Sequence, residues 1–471
     1  MDAVHQVIME TPLSREKHRS IVQDSKIRRP PRNFGSPYIL MGGFAFLIAI
    51  GTVLLSLPFT NTQNEITPFL DALFTATSAV TVTGLVVVDT STHWSFAGQF
   101  IIVVLIFTGG LGIMASATFL LVLIGRRITL ANRLMVRESL GVYQLGGLIG
   151  LARRIVIVIV SIQVIGFIVL FIGLMDKYPI NDVWWLSLFH SISGFNNAGF
   201  VIFPESVSLS VFKTDYIILL TMSFLILLGT LSYSVMLDVF GYRRKFNRYT
   251  LDSKMVVTAT VGLLVIGFVV FLISEYSNPD TLGSLSFAGK IVNTVFIAVS
   301  GRTAGFSTVD FGSMEQHSNF FLTSLMFIGG ASASTAGGIK VNTFAVLIAA
   351  VLSSIAGRSH VVAFGREIPH PQVYRAMTVL ILGLAIVFSV ALLLTITENL
   401  MFIDILFETV SAFCTVGLST GITDKLSDPG KFIIVFTMFI GRVGPLTIAL
   451  LLAQKEATSP YRYAEERIKI G

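Results

Sequence analysis

Apolar residues in this chain neither alternate nor keep to one helical face; they run on in long blocks. Eight blocks stand out, at residues 38–58, 97–125, 155–175, 214–240, 255–275, 318–352, 375–397 and 431–453. A helix apolar on all sides lies inside protein or in lipid, and about 20 residues cross the hydrocarbon of a bilayer. The pattern predicts eight transmembrane helices in an all-α integral membrane protein. Inside each pair of blocks lies a shorter, half-polar segment that ends in a glycine-bearing stretch. These segments read FTATSAVTVTGL (74–85), FHSISGFNNAGF (189–200), VFIAVSGRTAGF (295–306) and FETVSAFCTVGL (407–418).

Aligned on Gly84, Gly199, Gly305 and Gly417, the four segments agree without gaps. Phe74, Phe189, Val295 and Phe407 stand ten residues upstream, and Ser78, Ser193, Val299 and Ser411 stand six upstream. Ala79, Gly194, Ser300 and Ala412 follow, and Leu85, Phe200, Phe306 and Leu418 come just after the glycines. Each segment is too short to cross, so it enters and leaves on one side. The expected architecture is four helix–pore helix–helix repeats with pseudo-fourfold symmetry around one ion pore. The expected division is a cytoplasmic N-terminal extension (1–36), then repeats at 37–125, 126–240, 241–352 and 353–471, the last with a cytoplasmic tail.

Composition supports lipid as the solvent: 53% of residues are hydrophobic, 13% are charged, and mean hydropathy is +0.80. The net charge of +6 raises the question of nucleic acid, but its distribution answers it. Of the 33 Lys and Arg, 26 fall with the two tails and alternate loops against 6 with the others, and Arg442 is left over inside an apolar run. That positive-inside bias places both termini in the cytoplasm. The opposite loops hold Asp89, Asp182, Glu205, Asp215, Asp310, Glu315, Asp424 and Asp428, which would gather cations at an entrance. A single cysteine, Cys414, leaves no intramolecular disulfide. The polar, basic start lacks a signal-peptide core and reads as an extension.

Non-helical backbone at membrane depth persists only where protein buries it or water wets it. Four such stretches on one axis offer peptide oxygens that can replace the water shell of a dehydrated cation. Glycine permits the turn that aims them, and the negative end of each short helix favours positive charge. The expected path residues are Thr81, Val82, Thr83 and Gly84; Asn196, Asn197, Ala198 and Gly199; Arg302, Thr303, Ala304 and Gly305; and Cys414, Thr415, Val416 and Gly417. Helix-packing glycines are the competing explanation, and a fourfold register argues against it.

Two features lie beyond those stretches. The third repeat's second block contains Gly329, Gly330, Gly337, Gly338 and Lys340 around a Ser/Ala run, and each Gly costs a helix about 1 kcal/mol relative to Ala. Its three sisters lack so long a weak run, so a break is expected here, forming a movable obstruction below the path. Arg442 is costly in lipid, at least about 2.5–3.5 kcal/mol, and is expected to face the bundle interior, paired with a carboxylate such as Glu408 or acting as an electrostatic barrier.

TVTGL, FNNAGF, RTAGF and TVGL, with MFIGGASASTAGGIK (326–340) and MFIGRVGPLT (438–447), resemble the Trk/Ktr/HKT superfamily of potassium transporters. The likeness is greatest to the membrane subunits of bacterial Ktr systems, of the KtrB kind. It implies potassium uptake across the cell membrane, with K+ as the transported ion and no cofactor in the chain. It also implies an intramembrane gating loop at 329–340, a basic residue near the filter at Arg442, and a homodimer with one pore per subunit. A KtrA-like octameric ring of nucleotide-binding regulatory subunits is the implied cytoplasmic partner. Sodium-preferring plant relatives often carry serine at the first filter glycine, here Gly84. Cys414 and the N-terminal extension depart from the family pattern.

Rival readings fit less well. A rocking secondary transporter shows two inverted halves, whereas these four units share one orientation. An enzyme would need a positioned third group beside His190 and Ser191. No phosphate-binding glycine loop with Lys-Ser/Thr occurs.

Overall fold

The computed structural model describes residues 36–112, 148–204, 208–242 and 245–444, together with Thr447 and Glu466. The N-terminal extension and the C-terminal tail, apart from those last two residues, lie outside the described residues, as does the basic cluster at 126–137.

Repeat 1 comprises α1 (Ser36–Leu55), the short α2 (Phe69–Thr81) and α3 (Phe96–Leu111). Repeat 2 follows as α4 (Leu148–Leu174), α5 (Ile180–Asn196), α6 (Tyr216–Thr230) and α7 (Tyr233–Tyr242). Repeat 3 has α8 (Leu251–Glu275), α9 (Phe287–Ser300), α10 (Gln316–Met326) and α11 (Val341–Ile355). A small hairpin of β1 (Val361–Ala363) and β2 (Arg366–Ile368) precedes repeat 4, which is α12 (His370–Thr397), α13 (Phe402–Phe413) and α14 (Asp428–Val443). The hairpin was not foreseen. Phe364 and Gly365 carry φ of 49° and 73°, the two positive values that a tight hairpin turn requires.

Packing closes these repeats into a ring. The short helix of each repeat touches the second helix of the one before: α5 on α3, α9 on α6, α13 on α10, and α2 on α14. That last contact joins the fourth repeat to the first. The short helices expose their first turns and bury most of their remaining residues. Outside stand α4, α8 and α12, each individually long and apolar enough to span a bilayer. Their outward side chains include Ile172, Ile273, Phe388 and Ile396, exposed by 62–75%, which only a lipid surrounding makes sensible.

The second helices differ from expectation. A break was expected only in repeat 3, between Met326 and Val341, and there it is found. Yet α6 and α7 also meet at a bend of 108°, while α3 and α14 end at Gly112 and Gly444 with φ of 78° and 92°. The cause is a second glycine register. Gly109, Gly229 and Gly441 press against the Val80, Phe195 and Phe413 carbonyls at the ends of the short helices, leaving no room for a Cβ. In repeat 3 a Cβ on Gly329 would instead run into the Gly337 carbonyl of the break itself, with the Thr303 methyl next. The helix stops at Leu111, Thr230 and Val443, one or two residues beyond its glycine, and in repeat 3 at Met326, before Gly329.

Candidate ion pathway

At the end of every short helix the backbone makes the same move. Val82, Asn197, Thr303 and Thr415 have φ of 58°, 57°, 79° and 49°, and the glycines two residues later have 95°, 72°, 77° and 89°. The residues between them keep negative φ. Alternating handedness of this kind sends amide hydrogens to one side and carbonyls to the other. The amides are accounted for on the outer side. Thr83, Ala198 and Val416 donate to the Ser78, Ser193 and Ser411 carbonyls at 2.8, 2.9 and 2.8 Å. Gly84 and Gly417 donate to the Ser78 and Ser411 hydroxyls at 3.0 and 3.1 Å. The carbonyls are left facing inward.

The four glycines meet. A Cβ on Gly84 would lie 2.5 Å from the Ala198 oxygen, one on Gly199 would lie 3.2 Å from that of Ala304, and one on Gly305 would lie 2.7 Å from that of Val416. On Gly417 it would run into the Thr83 oxygen. Each glycine therefore sits beside the carbonyl of the next repeat, and the fourth closes on the first. Just outside is a cavity of about 430 Å³ that touches all four glycines and is lined by Asp89, Asp310 and Asp424.

Repeat 3 departs from the gapless alignment. Ala304 donates to Ser300, four residues back, where its counterparts reach five back. The Ser300 hydroxyl donates to the Phe306 carbonyl, as Ser193 does to that of Phe200. Ser300 thus does the work expected of Val299, and buried Phe296 replaces Val295. One residue is missing between the helix and the strand. A hydroxyl has to brace the turn, and the sequence supplies it one place late.

The expected path residues divide by what faces the axis. Thr83, Ala198, Ala304 and Val416 bring carbonyls to the ring. Thr81 and Asn196 close their helices, and their side chains turn back to the Thr77 and Ile192 carbonyls at 2.7 and 2.9 Å. Arg302 is 1% exposed and donates to the Gly329 carbonyl at 3.0 Å. Cys414 is buried, with its sulfur near the Phe327 carbonyl.

Below the ring, residues 327–340 leave the helix and fold upward. Gly329 donates to Ile339 at 2.9 Å, and Val341 donates to Gly330 at 3.0 Å, closing the base. Gly337 and Gly338 lie against Thr415 and Cys414 with no space for a side chain. The Lys340 ammonium returns to the Ala336 carbonyl. Ala331 and Thr335 take the Thr230 and Gly229 carbonyls, at 2.9 and 3.3 Å, that the bend between α6 and α7 has freed. Arg442 does not pair with Glu408. Its guanidinium donates to the Thr335, Gly109 and Gly110 carbonyls, while Glu408 accepts from Thr423. Helix breaks expose peptide oxygens nearby, and these serve a guanidinium without a buried carboxylate.

His190 and Ser191 have structural partners. The ring nitrogens lie 2.7 Å from the Leu186 carbonyl and 3.3 Å from the Ile202 amide, and Ser191 donates to Gln163. The sequence reading missed the second register, Gly109, Gly229, Gly329 and Gly441. Its signal was present: GGLG, GTLS, GGAS and GRVG stand 25, 30, 24 and 24 residues after the first glycines.

A closed ring of four re-entrant stretches, each pairing a glycine with its neighbour's carbonyl, is the architecture of a pore-loop membrane protein. The family model described as TrkH, cation transport protein, matches residues 38–460, and the chain belongs to that family. It is similar to the Ktr system potassium uptake protein B of Bacillus subtilis, 42% identical over 93% of this chain and 97% of that one. It is 38% identical to the potassium/sodium uptake protein NtpJ of Enterococcus hirae, over 94% of this chain and 99% of the other. Among solved structures, the potassium transporter TrkH from Vibrio parahaemolyticus shares the fold, with a TM-score of 0.67 at 21% identity over 88% and 85% of the two chains. Family membership makes this a transport protein rather than an enzyme.

Proposed function

We propose that the chain is the ion-translocating subunit of a Ktr-type potassium uptake system, passing K+ along the axis of the glycine ring. The observation that carries this reading is the closed cycle in which Gly84, Gly199, Gly305 and Gly417 each abut the next repeat's carbonyl. Inward oxygens held by outward-bonded amides suit a dehydrated monovalent cation. The three vestibule aspartates raise cation concentration at the outer mouth. The membrane potential supplies about 2.3 kcal/mol per charge per 100 mV.

The filter in this reading is 81–84, 196–199, 302–305 and 414–417. The backbone carbonyls bind the ion, and the side chains of Thr81, Asn196 and Arg302 hold the backbone. The loop with Gly329, Gly330, Gly337, Gly338 and Lys340 is the gate, and Arg442 is its latch. The chain lies in the cell membrane with both termini cytoplasmic, in keeping with its basic loops. It works as a homodimer under a ring of nucleotide-binding regulatory subunits, as its likeness to Ktr proteins suggests.

Rubidium and sodium uptake in cells lacking their own potassium uptake tests the reading. Wild type should carry rubidium well above sodium, and Gly84→Ser should lose most of that preference. Equal uptake of the two ions by wild type would refute a potassium path.

A further inference from the structure

The gate loop does more than fill space under the filter; its side chains are bonded into the filter's own support. Thr335 is the clearest case. It is 1% exposed, and its hydroxyl lies 2.9 Å from the Gly229 carbonyl at the bend of the second repeat. The same hydroxyl lies 3.2 Å from the Asn197 side-chain amide, and the contact survives whichever way that amide is turned. Asn197 carries the positive φ two residues before Gly199, so its geometry sets the aim of the Ala198 carbonyl in the ring. A left-handed residue of this kind persists only where its surroundings fix it. Here the loop is part of those surroundings.

The loop braces two further filter stretches. Arg302 reaches the Gly329 carbonyl at 3.0 Å, and Gly337 is packed on Thr415. Among the described residues, the filter stretch of repeat 1 has no such tie. Its Thr81 and Thr83 hydroxyls bond each other at 2.7 Å, and its stretch is held from within.

We propose that Thr335 is a positioning residue coupling the gate to the filter, so that cation discrimination depends on Thr335 staying on Asn197 while the Gly337–Gly338 limb of the loop moves aside. Where the Thr335 contact is lost, Asn197 loses a partner and the Ala198 carbonyl loses its fixed aim. A looser ring discriminates less between ions that differ in radius. This deepens the potassium-path reading and rests on it.

The test compares initial uptake of rubidium and sodium by the full chain in deficient cells, at matched membrane abundance. Thr335→Val keeps the shape and removes the hydroxyl; it should lower the rubidium-to-sodium ratio at least threefold. Thr335→Ser should restore the ratio. Ser334→Ala, which removes a bond to the Ala331 carbonyl inside the loop, should leave it unchanged. Faster uptake by Thr335→Val with an unaltered ratio would show a plug without coupling and overturn the proposal. Should Thr335→Val fail to reach the membrane, Thr335→Ala removes the same hydroxyl with a smaller side chain, and the same two outcomes decide. Wild type that carries neither ion would sink the transport reading itself, whereas a discriminating wild type with an indifferent Thr335→Val sinks only the coupling.

Discussion

Repeats 1 and 3 share one plan and use it for opposite ends. In repeat 1 the Thr81 and Thr83 hydroxyls satisfy each other, and α3 runs unbroken to Gly112 with Gly109 pressed on Val80. Nothing there has two places to be. In repeat 3 the second helix stops at Met326 and resumes at Val341, and the filter arginine spends its hydrogen bond on the loop that interrupts it. On the proposed reading, the difference gives a fourfold scaffold one movable part. All four repeats supply carbonyls, and repeat 3 adds a segment bonded both to its own repeat and to repeats 2 and 4.

If that division holds, substitutions in the ring and in the loop should act in opposite directions. The largest effect belongs to Gly417→Ala. Its Cβ would overlap the Thr83 oxygen at a φ of 89°, and rubidium uptake should fall more than tenfold with insertion intact. Next is Gly337→Ala, which places a methyl where the Thr415 hydroxyl now lies. Basal uptake should rise several-fold without stimulation; a fall would mean the loop is not an obstruction.

Arg442→Gln removes charge-assisted bonds to carbonyls of repeat 1 and of the loop, each worth about 1.5–3 kcal/mol. It should raise resting uptake less than Gly337→Ala does, because Thr335 and the two glycines still hold the seat. The smallest effect is expected at Lys431, whose ammonium meets Asp71 at 2.9 Å where α14 packs on α2. Lys431→Met should lower the melting temperature of purified protein by a few degrees, consistent with about 1 kcal/mol for a partly exposed pair. The rubidium-to-sodium ratio should not move.

The sequence made the filter glycines legible because they recur at 106 to 115 residues with an apolar neighbour after each. The helix-break glycines stayed hidden. In repeat 2 the spacing stretches to 30 residues, and a Gly in a membrane helix has many uses. Arg442 was correctly sent inward, but its partner was not foreseen. Sequence shows carboxylates and does not show peptide oxygens, which become available only where a helix has broken. The hairpin at 361–368 was missed for a related reason: two strands of three residues have no periodicity to read.

The missing residue in repeat 3 has a practical consequence. Chimaeras that exchange filter segments between repeats at equal distance from the glycine would move Ser300 and Phe296 one place around their helix, about 100° by the pitch of an α-helix. Such a swap would turn the bracing hydroxyl away from its carbonyl and send a benzyl group where a hydrogen bond had been. Any graft into this position has to be shortened by one residue first.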